Sequence, residues 1–98
     1  MNKFGLPLKT YEQIKLLLNS FKEIEGIKIF GSRAKGNYKP HSDIDLVIYG
    51  TKISETLLLH IASELDELPT PYKFDLVDYK TISNENFKNE VDKYGIDF

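Results

Sequence analysis

The sequence predicts an α/β (α+β) fold with one small β-sheet. Two observations carry this prediction. One short apolar run and two segments that alternate apolar and polar residues predict β-strands, whereas three longer segments repeat apolar residues at helical spacing. Along the chain they follow the order α-β-β-α-β-α, and a helix between two strands is the crossover that parallel neighbours require.

Length and composition limit the classes of protein to which the chain can belong. Its 98 residues are expected to form a single domain spanning 1–98. The formal net charge of −2 argues against a duplex nucleic acid as partner, because such binders usually present a basic face. The absence of cysteine excludes disulfides and thiolate metal sites. No apolar run approaches the roughly 20 residues of a membrane span, so we expect no membrane contact and a cytoplasmic location.

The N-terminal part of the chain predicts one helix. Residues 1–9 are expected to form a loose leader, since a glycine and a proline interrupt any periodicity. Residues 10–24 repeat apolar side chains at helical spacing, and Thr10 and Gln13 have the spacing of a capping box. We therefore predict an amphipathic helix that begins at Thr10 and is ended by Gly26.

The remaining elements are predicted from the same two periodicities. Strands are expected over residues 27–30, 44–49 and 73–79. A short helical turn and a polar loop connect the first two strands. Ser54 is predicted to cap the second helix, which two prolines end, and Ser83 is predicted to cap the third.

Three aspartates occupy strand positions of matching parity. Asp43 and Asp45 lie two apart in the second strand pattern, so both carboxylates are expected on one sheet face, at roughly 6.6 Å of backbone rise. Asp75 has the matching position in the third strand. Solvated surface acids are the alternative, but aspartate is depleted in strands, and such close carboxylates repel each other unless a cation lies between them. The pattern favours Mg²⁺ and two-metal phosphoryl transfer, with Asp75 as proton acceptor.

The turn Gly31-Ser32 after the first strand is the second chemical feature. Alone, such a pair is most often only a turn, but here a helical start follows, where free backbone N–H groups favour a phosphate. Arg33 and Lys35 add positive charge beside it, although most loop cations are simply solvated. Neither histidine is assigned a role. Asp78 is expected on the opposite strand face from the third acid, at the surface or as a loop cap.

Three motifs in order resemble those of the minimal nucleotidyltransferases of the DNA polymerase beta superfamily: GSRAKG at 31–36, SDIDL at 42–46 and FDL at 74–76. The family pattern is Gly-Ser, a helical segment that ends in Arg-Gly, then Asp-x-Asp, and a third Asp on a later strand. Lys35 stands where the family usually carries Arg, which keeps the charge but loses a bidentate grip on phosphate. The resemblance covers almost the whole chain.

The resemblance implies a polymerase-beta-like fold, a small mixed β-sheet with helices packed on one face. It implies the transfer of a nucleotide from a nucleoside triphosphate to a hydroxyl, with AMP from ATP expected. It also implies Mg²⁺ as cofactor, with two ions expected. The implied catalytic and metal-binding residues are Asp43, Asp45 and Asp75. The implied nucleotide-binding residues are Gly31, Ser32, Arg33 and Lys35.

Partners are also implied by the resemblance. Minimal members are often encoded with a helical partner of the HEPN type and act as its antitoxin, in some cases by adding AMP to it. We therefore expect a HEPN-type protein partner and a homo- or hetero-oligomer. The alternative is a non-catalytic or nucleotide-regulated antitoxin that neutralises its partner by direct contact. Transfer to a small molecule stays open, whereas a structural Ca²⁺ protein is disfavoured because no EF-hand loop spacing occurs.

Overall fold

A four-stranded mixed β-sheet lies at the centre of residues 2–98, the part of the chain that this computed structural model describes. The elements in chain order are β1 (Asn2–Lys3), β2 (Leu6–Pro7), α1 (Leu8–Asn19), β3 (Gly26–Phe30), α2 (Gly31–Lys35), β4 (Ile44–Tyr49), α3 (Glu55–Asp66), β5 (Phe74–Asp78), a 3₁₀ turn (Tyr79–Thr81), α4 (Glu85–Tyr94) and β6 (Ile96–Asp97). None of the helices in this range could span a lipid bilayer, since each lacks the length and apolarity required.

The strand order of the sheet is β5-β4-β3-β6. β4 and β5 are parallel, and β3 is antiparallel to both of its neighbours. α3 connects β4 to β5, which confirms the predicted crossover between parallel strands. In β4, consecutive residues Leu46, Val47 and Ile48 are all fully buried, so this central strand is covered on both faces.

Helices cover both faces of the sheet. On one face, α1 and α3 pack Leu18 and Ile61 into the cluster that contains Leu46. On the other face, α4 packs Val91 into the cluster that contains Val47. The predicted α/β class is confirmed, but the expectation that all helices lie on one face is wrong for α4. The second face of the sheet is itself apolar, and α4 removes that area from water.

The segment before β3 differs from the prediction. α1 begins directly after Pro7, which makes no side-chain cap hydrogen bond, so the predicted capping box is wrong. Gly26 begins β3 instead of ending the helix. The loose leader expected over 1–9 is wrong for its described residues, because the β1–β2 hairpin buries Leu6 completely in the core. Met1 lies outside the described residues.

One of the two predicted serine caps is found, and a short C-terminal strand joins the sheet. Ser54 caps α3 as predicted, and its hydroxyl oxygen accepts a backbone N–H bond of 3.0 Å. Asn84, rather than Ser83, caps α4 through its side-chain carbonyl. β6 pairs with β3, a pairing that the sequence did not predict, and Phe98 is then buried against the rings of Phe4 and Tyr11.

Candidate active site

Two of the predicted acids meet at one end of the sheet. β4 and β5 run parallel in a register that pairs Asp45 with Asp75. β3 runs antiparallel to β4 and pairs Phe30 with Asp45, so the following Gly31 lies at the same end. Asp45 projects to the same side as Val47, since alternate strand residues share a face. Both carboxylates therefore belong to the sheet face that α4 packs against, and Asp75 is exposed.

Asp43 lies just outside the strand. β4 begins at Ile44, so Asp43 is the last residue of the preceding loop, and its side chain is exposed. That loop ends in a turn in which Ser42 N–H donates to the carbonyl oxygen of Lys39 at 3.0 Å and Ser42 Oγ accepts from Lys39 N–H at 2.8 Å. The expectation that the strand carries both carboxylates is wrong for Asp43, which lies between that turn and Ile44, the first residue of both the predicted and the observed strand.

Gly31 brings the backbone of the turn into contact with Asp45. Its φ is +71°, in the left-handed region that favours glycine. A Cβ built at Gly31 would overlap Oδ2 of Asp45. The turn and the carboxylate can be this close only with glycine here, so a ligand held by one lies beside the other.

The charge of Asp45 is disfavoured by its surroundings. Burial, and then the carboxylates of Asp75 and Asp43, raise its pKa from 3.8 to about 6, while the Arg33 charge acts in the opposite direction. Within the described range, none of the three acids forms an ion pair with a basic side chain. Because no basic side chain pairs with these acids there, a bound cation would relieve the repulsion.

The donor set fits a metal that arrives with a nucleotide better than a metal held by protein alone. Among residues 2–98, no group of three or more His, Cys, Asp or Glu side chains forms a metal-binding cluster as it stands. Mg²⁺, however, commonly takes only one or two carboxylates from the protein and its other ligands from substrate phosphates and water. Asp45 and a neighbouring carboxylate can supply that number.

Lys35 already has a protein partner. Its Nζ lies 3.0 Å from Oε2 of Glu90 on α4 and 4.7 Å from the centroid of the Tyr94 ring. The ion pair is open to solvent, where such pairs contribute little, so a phosphate could replace Glu90 at small cost. Ser32 is half-buried in the first turn of α2.

Arg33 is only 2% exposed. Its guanidinium donates to the carbonyl oxygens of Ser42 and Phe4 and lies between the rings of Tyr38 and Tyr72. The guanidinium of Arg33, for which the sequence predicted a nucleotide contact, therefore makes its hydrogen bonds within the protein itself. This packing was missed because two of its partners, Phe4 and Tyr72, are distant in the chain and the nearer acceptor is a backbone carbonyl, which has no sequence signal.

Asp78 and the two histidines lie in three different environments. Asp78 is a buried cap rather than a surface acid, because it is 2% exposed and accepts from both the backbone N–H and the Nζ of Lys80. His41 lines a groove of about 370 Å³ together with Asp43. His60 is exposed on α3. Neither histidine was assigned a role.

Residues 12–97 match the family model described as "Polymerase beta, Nucleotidyltransferase". A protein of Methanocaldococcus jannaschii named "Putative protein adenylyltransferase" is 33% identical over 94 residues, which cover 88% of this chain and 95% of that protein.

Solved structures share the fold. A toxin–antitoxin structure with AMP-PNP superposes with a TM-score of 0.71 at 24% identity, covering 90% of this chain and 70% of the other. A tri-AMPylated Shewanella oneidensis HEPN toxin in complex with its MNT antitoxin gives 0.65 at 22% identity, covering 92% and 68%. The family model matches most of this chain. The alignment with the archaeal relative covers most of both proteins. The chain therefore belongs to the polymerase beta family and is a nucleotidyltransferase.

Proposed function

We propose that this chain transfers AMP from ATP, with Mg²⁺, to a hydroxyl group of a partner protein, and that the partner is a helical HEPN-type toxin in the cytoplasm. The observation that carries the proposal is the placement of Asp45 between Asp75 on β5 and the Gly31 turn after β3. Family membership supports the reaction type, and the name of the archaeal relative supports a protein acceptor. The toxin–antitoxin complexes that share the fold support the kind of partner.

The binding roles are divided between the acids and the turn. Asp43 and Asp45 would hold Mg²⁺ together with the phosphates, and the bound ion would neutralise charge on the leaving pyrophosphate. The Gly31-Ser32 turn would hold the triphosphate, because glycine permits close backbone approach and the serine hydroxyl can donate a hydrogen bond. Lys35 would exchange Glu90 for a phosphate oxygen.

Asp75, the third predicted metal ligand, is proposed to accept the proton of the attacking hydroxyl. The acceptor oxygen forms a bond to the α-phosphorus of ATP while the bond from that phosphorus to pyrophosphate breaks, and the hydroxyl proton passes to the Asp75 carboxylate. Asp75 is exposed, so a hydroxyl on another protein can reach it, whereas Asp45 is half-buried. The products are the acceptor carrying AMP, and pyrophosphate.

Intact-mass spectrometry tests this function. The purified chain is mixed with Mg²⁺, ATP and the helical protein encoded beside it. We expect the partner to gain the mass of one or more AMP groups with the wild-type chain and none with Asp45→Asn. Parallel reactions with GTP, CTP and UTP identify the base that is preferred. A stable complex that gains no nucleotide from any of the four would contradict the transfer reaction.

A second candidate function, neutralisation by contact alone, is favoured by the exposed leucines of α1 and α3. Leu8 is 48%, Leu16 76% and Leu59 63% exposed. Apolar surface of this kind is typical of interaction sites when it is contiguous. The two candidates differ in one result: under neutralisation by contact, Asp45→Asn suppresses the toxin as well as the wild-type chain does.

A further inference from the structure

Arg33 is a buried cation without an acidic partner. It is 2% exposed, and within the described residues no carboxylate forms an ion pair with it. Burying an unpaired charge is costly unless hydrogen bonds and polarisable groups replace its water. A residue kept in such a position is expected to have a specific task.

Backbone carbonyls and two aromatic rings replace that water. Arg33 Nε and Nη2 donate to the carbonyl oxygen of Ser42 at 3.2 and 2.9 Å. Its Nη1 donates to the carbonyl oxygen of Phe4 at 3.0 Å. The rings of Tyr38 and Tyr72 lie with their centroids 5.1 Å from Cζ, one ring for each cation–π contact. Only a planar fork with several donors can satisfy this arrangement, which a lysine ammonium cannot reproduce.

The Ser42 carbonyl is the group that connects Arg33 to the site. It belongs to the peptide unit whose nitrogen is that of Asp43, so the two Arg33 hydrogen bonds fix the plane from which the Asp43 side chain departs. Arg33 itself directly follows Ser32 in α2. One side chain therefore joins the turn proposed for the phosphates to the loop proposed for the metal.

The N-terminal β1–β2 hairpin also accepts a hydrogen bond from Arg33. Phe4 has a φ of +56°, a left-handed conformation that is uncommon for a bulky residue. In that conformation its carbonyl accepts from Arg33. The next residue, Gly5, lies so close to Tyr38 that a Cβ there would overlap the ring. The hairpin is thus packed against both the guanidinium and one of the rings that cover it.

We propose that Arg33 is a positioning residue: its guanidinium sets the Ser42–Asp43 peptide against the Gly31-Ser32 turn and ties both to the N-terminal hairpin. The importance of this for metal binding rests on the proposed function, whereas the ordering of the loop does not. Arg33 acts through Asp43 and touches neither nucleotide nor acceptor.

Arg33→Lys tests the inference, since it keeps the charge and removes the fork. ¹⁵N relaxation, without metal or nucleotide, should show the amides of Ser42 and Asp43 change from rigid order parameters of about 0.85 to below about 0.6. Mn²⁺ titration with a non-hydrolysable ATP analogue should show an affinity loss of at least about tenfold, the usual effect of removing support from a metal ligand. Ile14→Val, a core change on α1, is the control for general destabilisation and should alter neither measurement.

Each result is decisive. Rigid amides and Mn²⁺ affinity within about twofold of wild type in folded Arg33→Lys would overturn the inference. If the wild-type chain binds no Mn²⁺ with the analogue, the proposed function fails, and the amide order alone decides the positioning role. If Arg33→Lys does not fold, Tyr38→Leu removes one ring at a residue 37% exposed, and Tyr94→Leu, 40% exposed, is the matched control. The amide order of Ser42 and Asp43 is the measurement for this pair, because Tyr94 contacts Lys35. Loosening by Tyr38→Leu alone supports the inference, and equal behaviour of the two overturns it.

Discussion

Asp45 ionises at a cost to the folded state, and this cost gives the stability of the domain a specific pH dependence. Its pKa is raised to about 6 by burial and by the neighbouring acids. Between its ordinary value and pH 6 the folded state holds a proton that the unfolded state has lost. The free energy of unfolding therefore falls as pH rises through this window and stays lower above it.

Asp45→Asn should remove this penalty. Without metal, we expect the variant to melt above wild type at pH 7.5 by about 4–8 °C, which corresponds to about 1 kcal/mol after discounting for solvent screening. The difference should shrink as pH falls through the window and disappear about one pH unit below the ordinary pKa of 3.8, where the wild-type carboxyl is protonated in both states. Thermal melts in EDTA across this range measure it, with Asp66→Asn at the exposed end of α3 as control. A difference independent of pH would contradict the assignment.

Asp75 should matter to the chemical step more than to nucleotide binding. Asp75→Asn keeps the size of the side chain and removes the proposed base, so the transfer rate should fall by at least about 100-fold. The affinity for Mg²⁺–nucleotide should stay within about tenfold, or about 1.4 kcal/mol. Single-turnover kinetics and calorimetry separate the two quantities. Asp43→Asn should show the contrasting pattern, with metal affinity lost first. Transfer by Asp75→Asn at the wild-type rate would remove this residue from the mechanism.

The sequence predicted the neighbourhood of Asp45 and Asp75 because parity and a crossover helix are local properties. Both follow from alternation within a strand and from chain order. The packing of Arg33 could not be predicted in the same way, since one of its acceptors, the Phe4 carbonyl, lies 29 positions away along the chain. Backbone carbonyls have no sequence signature, so only the fold shows which ones a guanidinium meets. The roles of the three acids stay predictions.

The turn between β3 and α2 offers a test at the scale of an element. Gly31→Ala should cost about 1–2 kcal/mol for its left-handed backbone, and further stability because the new methyl group overlaps Asp45. Nucleotide affinity should fall with it.

Gly36→Ala is the matched control for this turn. Gly36 has a φ of +87°, but a Cβ there would have no atom within 4 Å. The difference between the two variants in melting temperature and in nucleotide affinity isolates the contact with Asp45. Equal losses in both would show that backbone conformation alone is responsible.

Element boundaries divide into those with strong local signals and those without. β4 was predicted to the residue because a short, largely apolar run is closed by Gly50, and Ser54 was predicted because a capping serine precedes a clear helical repeat. α1 began earlier than expected because it follows β2 directly at Pro7, a start that no capping side chain marks in the sequence. β6 was missed because two residues carry no measurable alternation, and its pairing with β3 is a property of the tertiary fold.

At the scale of the whole molecule, the exposed leucines predict where a partner binds. Leu16→Glu on α1 should leave the melting temperature unchanged, since the side chain is 76% exposed. It should raise the Kd for the helical partner by at least about tenfold, because a charge would be desolvated in an apolar contact. Asn89→Glu places the same charge on α4, across the sheet, and should have no effect. Unchanged affinity of Leu16→Glu in calorimetry would exclude α1 from the interface.

The double-sided burial of β4 has a consequence for how the protein loses function on heating. Amides in a strand covered on both faces exchange with solvent only when the entire domain opens. Asp45 sits within this strand, so its position should not drift before the fold is lost. We expect heat inactivation and cooperative unfolding to coincide, without a folded but inactive species, and deuterium uptake at the fully buried Leu46 and Val47 to report the global unfolding free energy.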